Sequence, residues 1–579
     1  MPQDITVADI DVLVVGGGLA GVYAAIKAIE AGAGNVVQVD KGQVGKSGCS
    51  CFAAGVMHTY FPQEDNLEDR VRRLVRAQGY LAQQDLMASQ MEQSWPVTNE
   101  MADLGVDFVR TTDGALERRP GRGSYPIISF YGPQLMDAMG KAAARKGVKQ
   151  VHRVMVTDLL THDGQVTGAV GFHTRTGDFY VFQAKATVLA TGSTWYKGRM
   201  PGHRDTTGDG YAAAYRAGAV LSGVENNDAP TNVMPIGRYD IGPGMNKFVG
   251  EGGFFINARG ERFMERYNPA MKERAGLRFL VYALCMEARQ GHTPLFMDMT
   301  HLSPEAVGRL KKVLPLAMKM FESVGLVVGD RFVEPVEWMP QAPVGRPGLV
   351  VNGDFESTMP GLYAGGEVCA PQAVVTGLSA AATSGAVAGT SAARRARAVK
   401  QLPPDSGQLA ELKRHTLQPL ERTDGIEPDQ ALLTLQETIV PYEVLLLRHG
   451  QRMTRALEQV EDLRDNQIPL LHAYDPHYLR MAHEARNLTL VAELHLRASL
   501  MRTESRVELR EDYPDQDNEN WLKWIKVRNE AGAMKMFTED VPLERYPLKA
   551  ERGRSLNHLW QMAEKQGIVT IGEGGVKWA

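Results

Sequence analysis

Gly16, Gly18 and Gly21 follow the apolar run Val12-Leu13-Val14-Val15 at the spacing G-x-G-x-x-G. A strand that empties into this spacing is built to hold a dinucleotide pyrophosphate. Gly16 permits the tight turn, Gly18 lets the backbone approach the phosphates, and Gly21 lets the following helix pack on the strand. That helix begins at the loop, so its N-terminal N–H groups face the negative charge. A second strand, Val36 to Asp40, comes next, and Asp40 is the acid expected to take the ribose hydroxyls. The chemistry to look for is therefore hydride or electron transfer by a bound dinucleotide. Ala186 to Thr191 is a further apolar strand, ending at Gly192, where the backbone can again approach a phosphate or ribose.

The other reactive residue types are sparse. Four cysteines, Cys49, Cys51, Cys285 and Cys369, are too scattered for a disulfide framework and lack iron-sulfur spacing. Cys49 and Cys51 are too close in sequence to close a low-strain disulfide, so they read as packing residues rather than a redox dithiol. No metal site is expected. Trp195-Tyr196 and Gly202-His203-Arg204 form a polar and aromatic group just beyond Gly192.

Something must position these residues, and the chain has length for several domains: 579 residues exceed what one core supports. A net charge of -4 gives no reason to expect nucleic acid or an anionic membrane surface. No apolar run reaches the roughly 18 to 20 residues of a bilayer span, and the first residues lack signal-peptide character. A cytoplasmic location is the expectation.

Residues 85 to 118 read as helix and then turn. Strands are expected at Val151 to Leu160, Val166 to Thr174 and Phe179 to Phe182, a separate meander over the adenosine half. Residues 231–339, richer in aromatics, arginine and methionine, form a separate lid. A proline-containing linker runs from Lys400 to Pro404, apolar spacing from Leu432 to Leu500 predicts a helical bundle, and the tail shows little periodicity.

Several segments together carry a resemblance. They are Gly16 to Gly21, Lys46-Ser47-Gly48, Thr207-Gly208-Asp209-Gly210, Gly250-Glu251-Gly252-Gly253 with Arg262 to Tyr267, Gly361 to Glu367, and Arg502 to Arg506 with Arg510-Glu511-Asp512-Tyr513. In this order they resemble the flavoprotein subunits of the succinate dehydrogenase and fumarate reductase superfamily. The resemblance implies an α/β fold: a Rossmann-like FAD-binding domain (8–230 and 340–397), an inserted α+β capping domain (231–339), and a C-terminal helical domain (405–530) followed by a tail (531–579). It implies that Gly16, Gly18, Gly21, Asp40, Lys41, Ser47, Gly48, Gly55, Gly192, Asp209, Glu367 and Ser379 contact FAD, with the active site between flavin and cap.

Departures from the family pattern are informative too. The histidine that often tethers FAD covalently is replaced by Gly48, so noncovalent FAD is expected. Pro343 stands at the position of a substrate-binding histidine, and the stretch Ala373 to Ser379 lacks the family's arginine. The resemblance puts the proton-delivering arginine at or beside Arg278, and Glu251 matches the acid of the proton path; an ordinary surface charge and a cap-ordering ion pair are the alternatives. Arg346, in the loop that lost its histidine, is suited to a bidentate grip on an anion, or else to balancing a phosphate or facing solvent. His203 either reaches substrate or is structural.

The implied function is a FAD-dependent oxidoreductase acting on a small anionic substrate with a ferredoxin-like iron-sulfur partner. Local features of the adenylylsulfate reductase alpha chain (Ala169 to Phe172, Thr293 to Asp298) add sulfur chemistry as one alternative. A stand-alone flavoenzyme using oxygen or quinone is another, and a structural FAD on an assembly scaffold is a third.

Overall fold

The structure is a computed structural model describing residues 3–53, 55–119, 126–131, 133–198, 202–227, 234–236, 239–241, 245–338, 346–375 and 377–579. The first strand, Asp4–Val15, ends in Val12, Leu13, Val14 and Val15, each at most 6% exposed. Such a continuous apolar run belongs in a sheet covered on both faces. It pairs in parallel with Val36–Asp40 on one side and Phe179–Leu189 on the other. The seven-stranded sheet runs Lys149–His152, Val36–Asp40, Asp4–Val15, Phe179–Leu189, Gln165–His173, Val154–His162, with Leu362–Ala364 also pairing Phe179–Leu189.

Phe179–Leu189 corrects the expectation of a separate meander. It is one strand whose outer edge changes partner: Phe179 to Gln183 pairs antiparallel with Gly168 to Phe172, and Thr187 to Leu189 pairs parallel with Leu362–Ala364. The meander and the nucleotide sheet are continuous, and the half-exposed Lys185 between the two stretches is why the sequence reads as two strands.

Helix Leu19–Glu30 and helix Leu378–Ala398 lie against one another on this sheet. Gly385 and Gly389 make that possible, since a Cβ at either would sit 2.3 Å from the carbonyl of Ala20 or 2.1 Å from that of Ala24. The four-residue spacing places both glycines on one helix face.

The inserted cap includes helices Met245–Glu251, Leu277–Arg289 and Pro304–Val313 and a sheet of Phe254–Ile256, Phe296–Asp298 and Val336–Glu337. Helices Pro428–Ile439, Gly450–Asp462 and Pro476–Met501 form the C-terminal bundle. Its last helix, about 39 Å long at 1.5 Å per residue, runs back past the nucleotide sheet.

The boundary expected at residue 530 does not hold. Lys523–Glu530 and Ala533–Asp540 are the two arms of one hairpin, turning at Ala531 and Gly532, both at positive φ. The hairpin joins Leu221–Ser222 and Gly348–Leu349 in a four-stranded sheet, tying the tail to the nucleotide domain. The tail is also packed: Trp560 is fully buried and its indole donates to Ser505 Oγ.

Candidate functional site

Two cavities face the chemistry-bearing residues. The first is lined by backbone. Gly16, Gly17, Gly18, Gly48, Gly192, Gly365, Gly366 and Gly377 border it, with Asp40, Lys41, Ser47, Asp209 and Glu367. Gly16 sits at φ +123°, and a Cβ there would lie 2.2 Å from the Ala190 carbonyl. Helices Leu19–Glu30 and Leu378–Ala398 begin at Gly18 and Gly377 on its rim, so two positive helix ends converge there.

The polar residues of this cavity are mostly held from behind. Asp40 accepts from the Gly17 amide at 2.7 Å, the Gly42 amide at 2.7 Å and Ser47 Oγ at 2.8 Å. Its carboxylate thus shapes the glycine loop, and the ribose role expected of it has to share those oxygens. Lys41 is bound to Asp209 at 2.8 Å, Thr207 at 2.6 Å and Glu484 at 2.9 Å. Glu484 also accepts from Lys197 at 2.5 Å. Burial raises the pKa of Glu484, but Lys197 and Lys41 outweigh this and hold the carboxyl well below the ordinary range. Glu484, 443 positions from Lys41, was invisible to sequence reasoning because no local pattern marks it. Glu367 accepts from Ser193 at 3.1 Å, and its carbonyl accepts from Tyr211 at 2.6 Å.

Three expected FAD contacts fall outside this lining. A Cβ on Gly21 would meet the Gly16 carbonyl at 2.1 Å, so this glycine serves helix-strand packing. Gly55 is wedged between backbone carbonyls: a Cβ there would lie 2.7 Å from that of Val313 and 2.9 Å from that of Phe130. Ser379 donates to the His58 carbonyl, while its neighbours Gly377 and Leu378 border the cavity. Gly48, at φ +79°, opens onto free space. Cys51 donates to the Ser47 carbonyl at 3.2 Å, and burial pushes its thiol up to about 12, which keeps it from acting as a thiolate at neutral pH.

The second cavity, about 550 Å³, is built from side chains that meet only in the fold. It lies where the cap helix Leu277–Arg289, the end of helix Leu67–Ala77 with residues 78–81, residues 223–226, Arg346, residues 371–375 and the C-terminal segment converge. Among the described residues, Arg76, Arg278, Arg346 and Arg506 face it against one carboxylate, Glu225. Glu225 is itself engaged by Arg502 at 2.8 Å. The Arg346 side chain, 3% exposed, donates to the Val374 carbonyl at 2.6 Å. It therefore reaches from the loop that lost its histidine to the stretch that lost its arginine. Arg278 donates to Glu508 and to the Asn227 carbonyl, both at 2.6 Å. Glu508 also accepts from Tyr282 at 2.8 Å; burial raises its pKa, but Arg278 and Arg448 outweigh that and hold it at about 2.

Segment 365–378 joins the two cavities, giving Gly365, Gly366, Glu367, Gly377 and Leu378 to the first and Pro371, Gln372 and Val375 to the second. Two candidates stand apart from both. Glu251 is clasped by Arg309 at 2.6 Å within the cap, a mostly buried carboxylate beside an arginine. The His203 ring packs against Trp195 with centroids 4.1 Å apart. The residues of the stretch Gln341 to Gly345 lie outside the described residues.

A parallel sheet with a glycine-built cavity at the carboxyl ends of its strands defines a nucleotide-binding protein. Comparison with known proteins makes this specific: residues 11–384 match the FAD binding domain family and residues 434–553 match the fumarate reductase flavoprotein C-terminal family. The chain belongs to the fumarate reductase and succinate dehydrogenase flavoproteins, and it is a FAD-dependent oxidoreductase. It is 27% identical over 528 residues to a subunit of the fumarate reductase (CoM/CoB) of Methanothermobacter marburgensis, covering 87% of this chain and 94% of that protein. It shares its fold with E. coli quinol fumarate reductase FrdA, with a TM-score of 0.83, 22% identity and coverage of 94% and 98% of the two chains. Adenylylsulfate reductase of Archaeoglobus fulgidus has the same fold at a TM-score of 0.79, 24% identity and coverage of 93% and 97%. Among the described residues no helix is long and apolar enough to cross a membrane.

Proposed function

We propose that this chain is the flavoprotein component of an enzyme that moves electrons between FAD and a small anionic substrate, with an iron-sulfur protein as its electron partner. The observation that supports it best is the second cavity, where Arg76, Arg278, Arg346 and Arg506 converge beside the segment it shares with the glycine-built cavity, Arg278 and Arg506 being paired with Glu508 and Glu504. The first cavity fits FAD: its glycines leave room for the pyrophosphate, and two helix ends supply positive potential. Bound FAD supplies hydride transfer. Gly48 offers no side-chain atom for a covalent bond, so acid should release FAD unmodified.

The remaining work falls to this chain's side chains. Arg346, packed against the Val374 carbonyl, is the group to grip the substrate anion. Arg278, oriented by Glu508 and Asn227, places a second guanidinium where negative charge develops. The cap helix that carries Arg278 excludes water when it closes on the cavity. Four cysteines without cluster spacing leave electron delivery to another protein, in keeping with a relative that is named as one component of a larger fumarate reductase.

The test is anaerobic exposure of the oxidised, FAD-loaded protein to succinate and other saturated carboxylates and to sulfite with AMP, and of the reduced protein to unsaturated carboxylates, whose reoxidation of the flavin counts with bleaching by a saturated one. Bleaching of the flavin by a carboxylate supports the reading, and bleaching by sulfite with AMP moves it to sulfur chemistry. Rapid reoxidation by air without a partner points to a stand-alone oxidase.

A further inference from the structure

A third cavity, about 560 Å³, opens on the far side of Lys41 and matches none of the roles above. Its wall comes from three places: Lys41 to Gln43 after the second strand, Arg153 and Arg175 from the two ends of the meander hairpin, and Asp475, His477 and Arg480 from the start of the long bundle helix. Arg153, Arg175, Arg480, Lys41 and His477 contribute basic groups against one acid, Asp475. That carboxylate is already committed, accepting from the Tyr478 amide at 2.8 Å as the cap of helix Pro476–Met501.

The basic groups differ in what occupies them. Lys41 is neutralised by Asp209 and Glu484, and Arg480 lies 3.6 Å from Asp205 and 4.0 Å from Glu484. Among the described residues neither Arg153 nor Arg175 has a carboxylate within ion-pair distance. Arg153 is also held in an unfavourable backbone conformation, φ +62°, by two hydrogen bonds. Its amide donates to the Gly42 carbonyl and its carbonyl accepts from the Thr174 amide, both at 2.7 Å. A non-glycine residue fixed at positive φ by its neighbours is a feature that clusters at ligand sites. Two uncompensated guanidiniums beside the positive end of a 26-residue helix suit an anion with several oxygens in one small volume.

We propose that this cavity is a second anion site, separate from the FAD and substrate cavities, that binds a diphosphate group, either as free pyrophosphate or on a nucleotide. Lys41 and Gly42 line both this cavity and the FAD cavity, so occupation of one is felt by the groups that border the other.

The test is calorimetric titration of the FAD-loaded full-length protein with inorganic pyrophosphate and, in a separate arm, with ADP. Saturable binding of one anion per chain is expected, weakened at least 10-fold by Arg153→Ala and by Arg175→Ala while flavin content per chain is unchanged. Binding should also weaken as salt is raised. ADP binding tighter than pyrophosphate identifies a nucleotide ligand, and equal affinities identify the free diphosphate. No saturable binding by the wild-type holoenzyme overturns the proposal, as does binding indifferent to both substitutions. Loss of FAD from the variants, with no anion bound by the wild type, also overturns it by assigning the arginines to the cofactor.

Discussion

The glycine-built cavity and the arginine-built cavity share one segment of chain and are specified in opposite ways. The first is made by backbone: a handful of residues must be small, and what lines the site is amide groups and helix ends. The second is made by side chains brought together from distant stretches of sequence, and Arg278 on the cap depends on Glu508 in the C-terminal part of the chain. A backbone-built site is intolerant of added volume and largely indifferent to the loss of side-chain chemistry. A side-chain-built site is the reverse.

The largest effect expected from that contrast is at Gly16. A Cβ there would sit 2.2 Å from the carbonyl of Ala190, whose own amide is bonded to the Val15 carbonyl, and the position is at φ +123°. Gly16→Ala should yield protein that retains no FAD after gel filtration. A variant that stays yellow with an unchanged melting temperature would remove the distinction between the two sites.

Glu508→Gln should be next, because it leaves Arg278 beside a neutral partner in a buried network. Breaking such a pair costs about 3–5 kcal/mol, read by chemical denaturation at neutral pH. The same substitution has a pH signature. The folded carboxyl titrates at about 2, below its ordinary value of 4.5, so its contribution is fully present above about pH 4.5 and is lost as pH falls towards 2. The wild type should lose stability across that window more steeply than Glu508→Gln. Equal slopes would mean that another carboxylate governs the acid limb.

The smallest effect belongs to Gly48. A Cβ there meets no protein atom, and the penalty is the backbone itself: φ +79° with ψ 177° lies in a region left almost wholly to glycine, so Gly48→Ala should cost about 1–3 kcal/mol. FAD should remain acid-extractable but be retained less fully than in the wild type, because Gly48 borders the cavity that holds it. Loss of the cofactor would show that Gly48 packs directly against it.

The same contrast explains what the sequence discloses. Gly16 to Gly21, Asp40 and Gly192 are legible because each acts through its own turn, strand end or helix start, and all of them lie within a few residues of an apolar strand. Gly385 and Gly389 carry an equally local signal, a four-residue spacing on one helix face, although its partner helix lies far away in sequence. The hairpin across residue 530 sets Trp524, Ile525 and Val527 among charged residues without a strict alternation, which hides that it completes a sheet begun at Leu221. Arg278 and Glu508 are 230 positions apart, and nothing in either neighbourhood announces the other. Glu251 keeps its place in the motif and pairs with Arg309 58 positions on, a partner that no local pattern marks.

The central claim is that FAD and substrate are held by separate structures, one of backbone and one of arginine. It is tested most directly by measuring two properties of one protein, Arg346→Ala: FAD content per chain, and the anaerobic rate at which the compound that bleaches the wild type reduces the flavin. The account predicts wild-type FAD content and a rate lowered about 100-fold, the loss of roughly 2.7 kcal/mol of interaction with the reacting anion. An unchanged rate, or loss of FAD in step with activity, would contradict it.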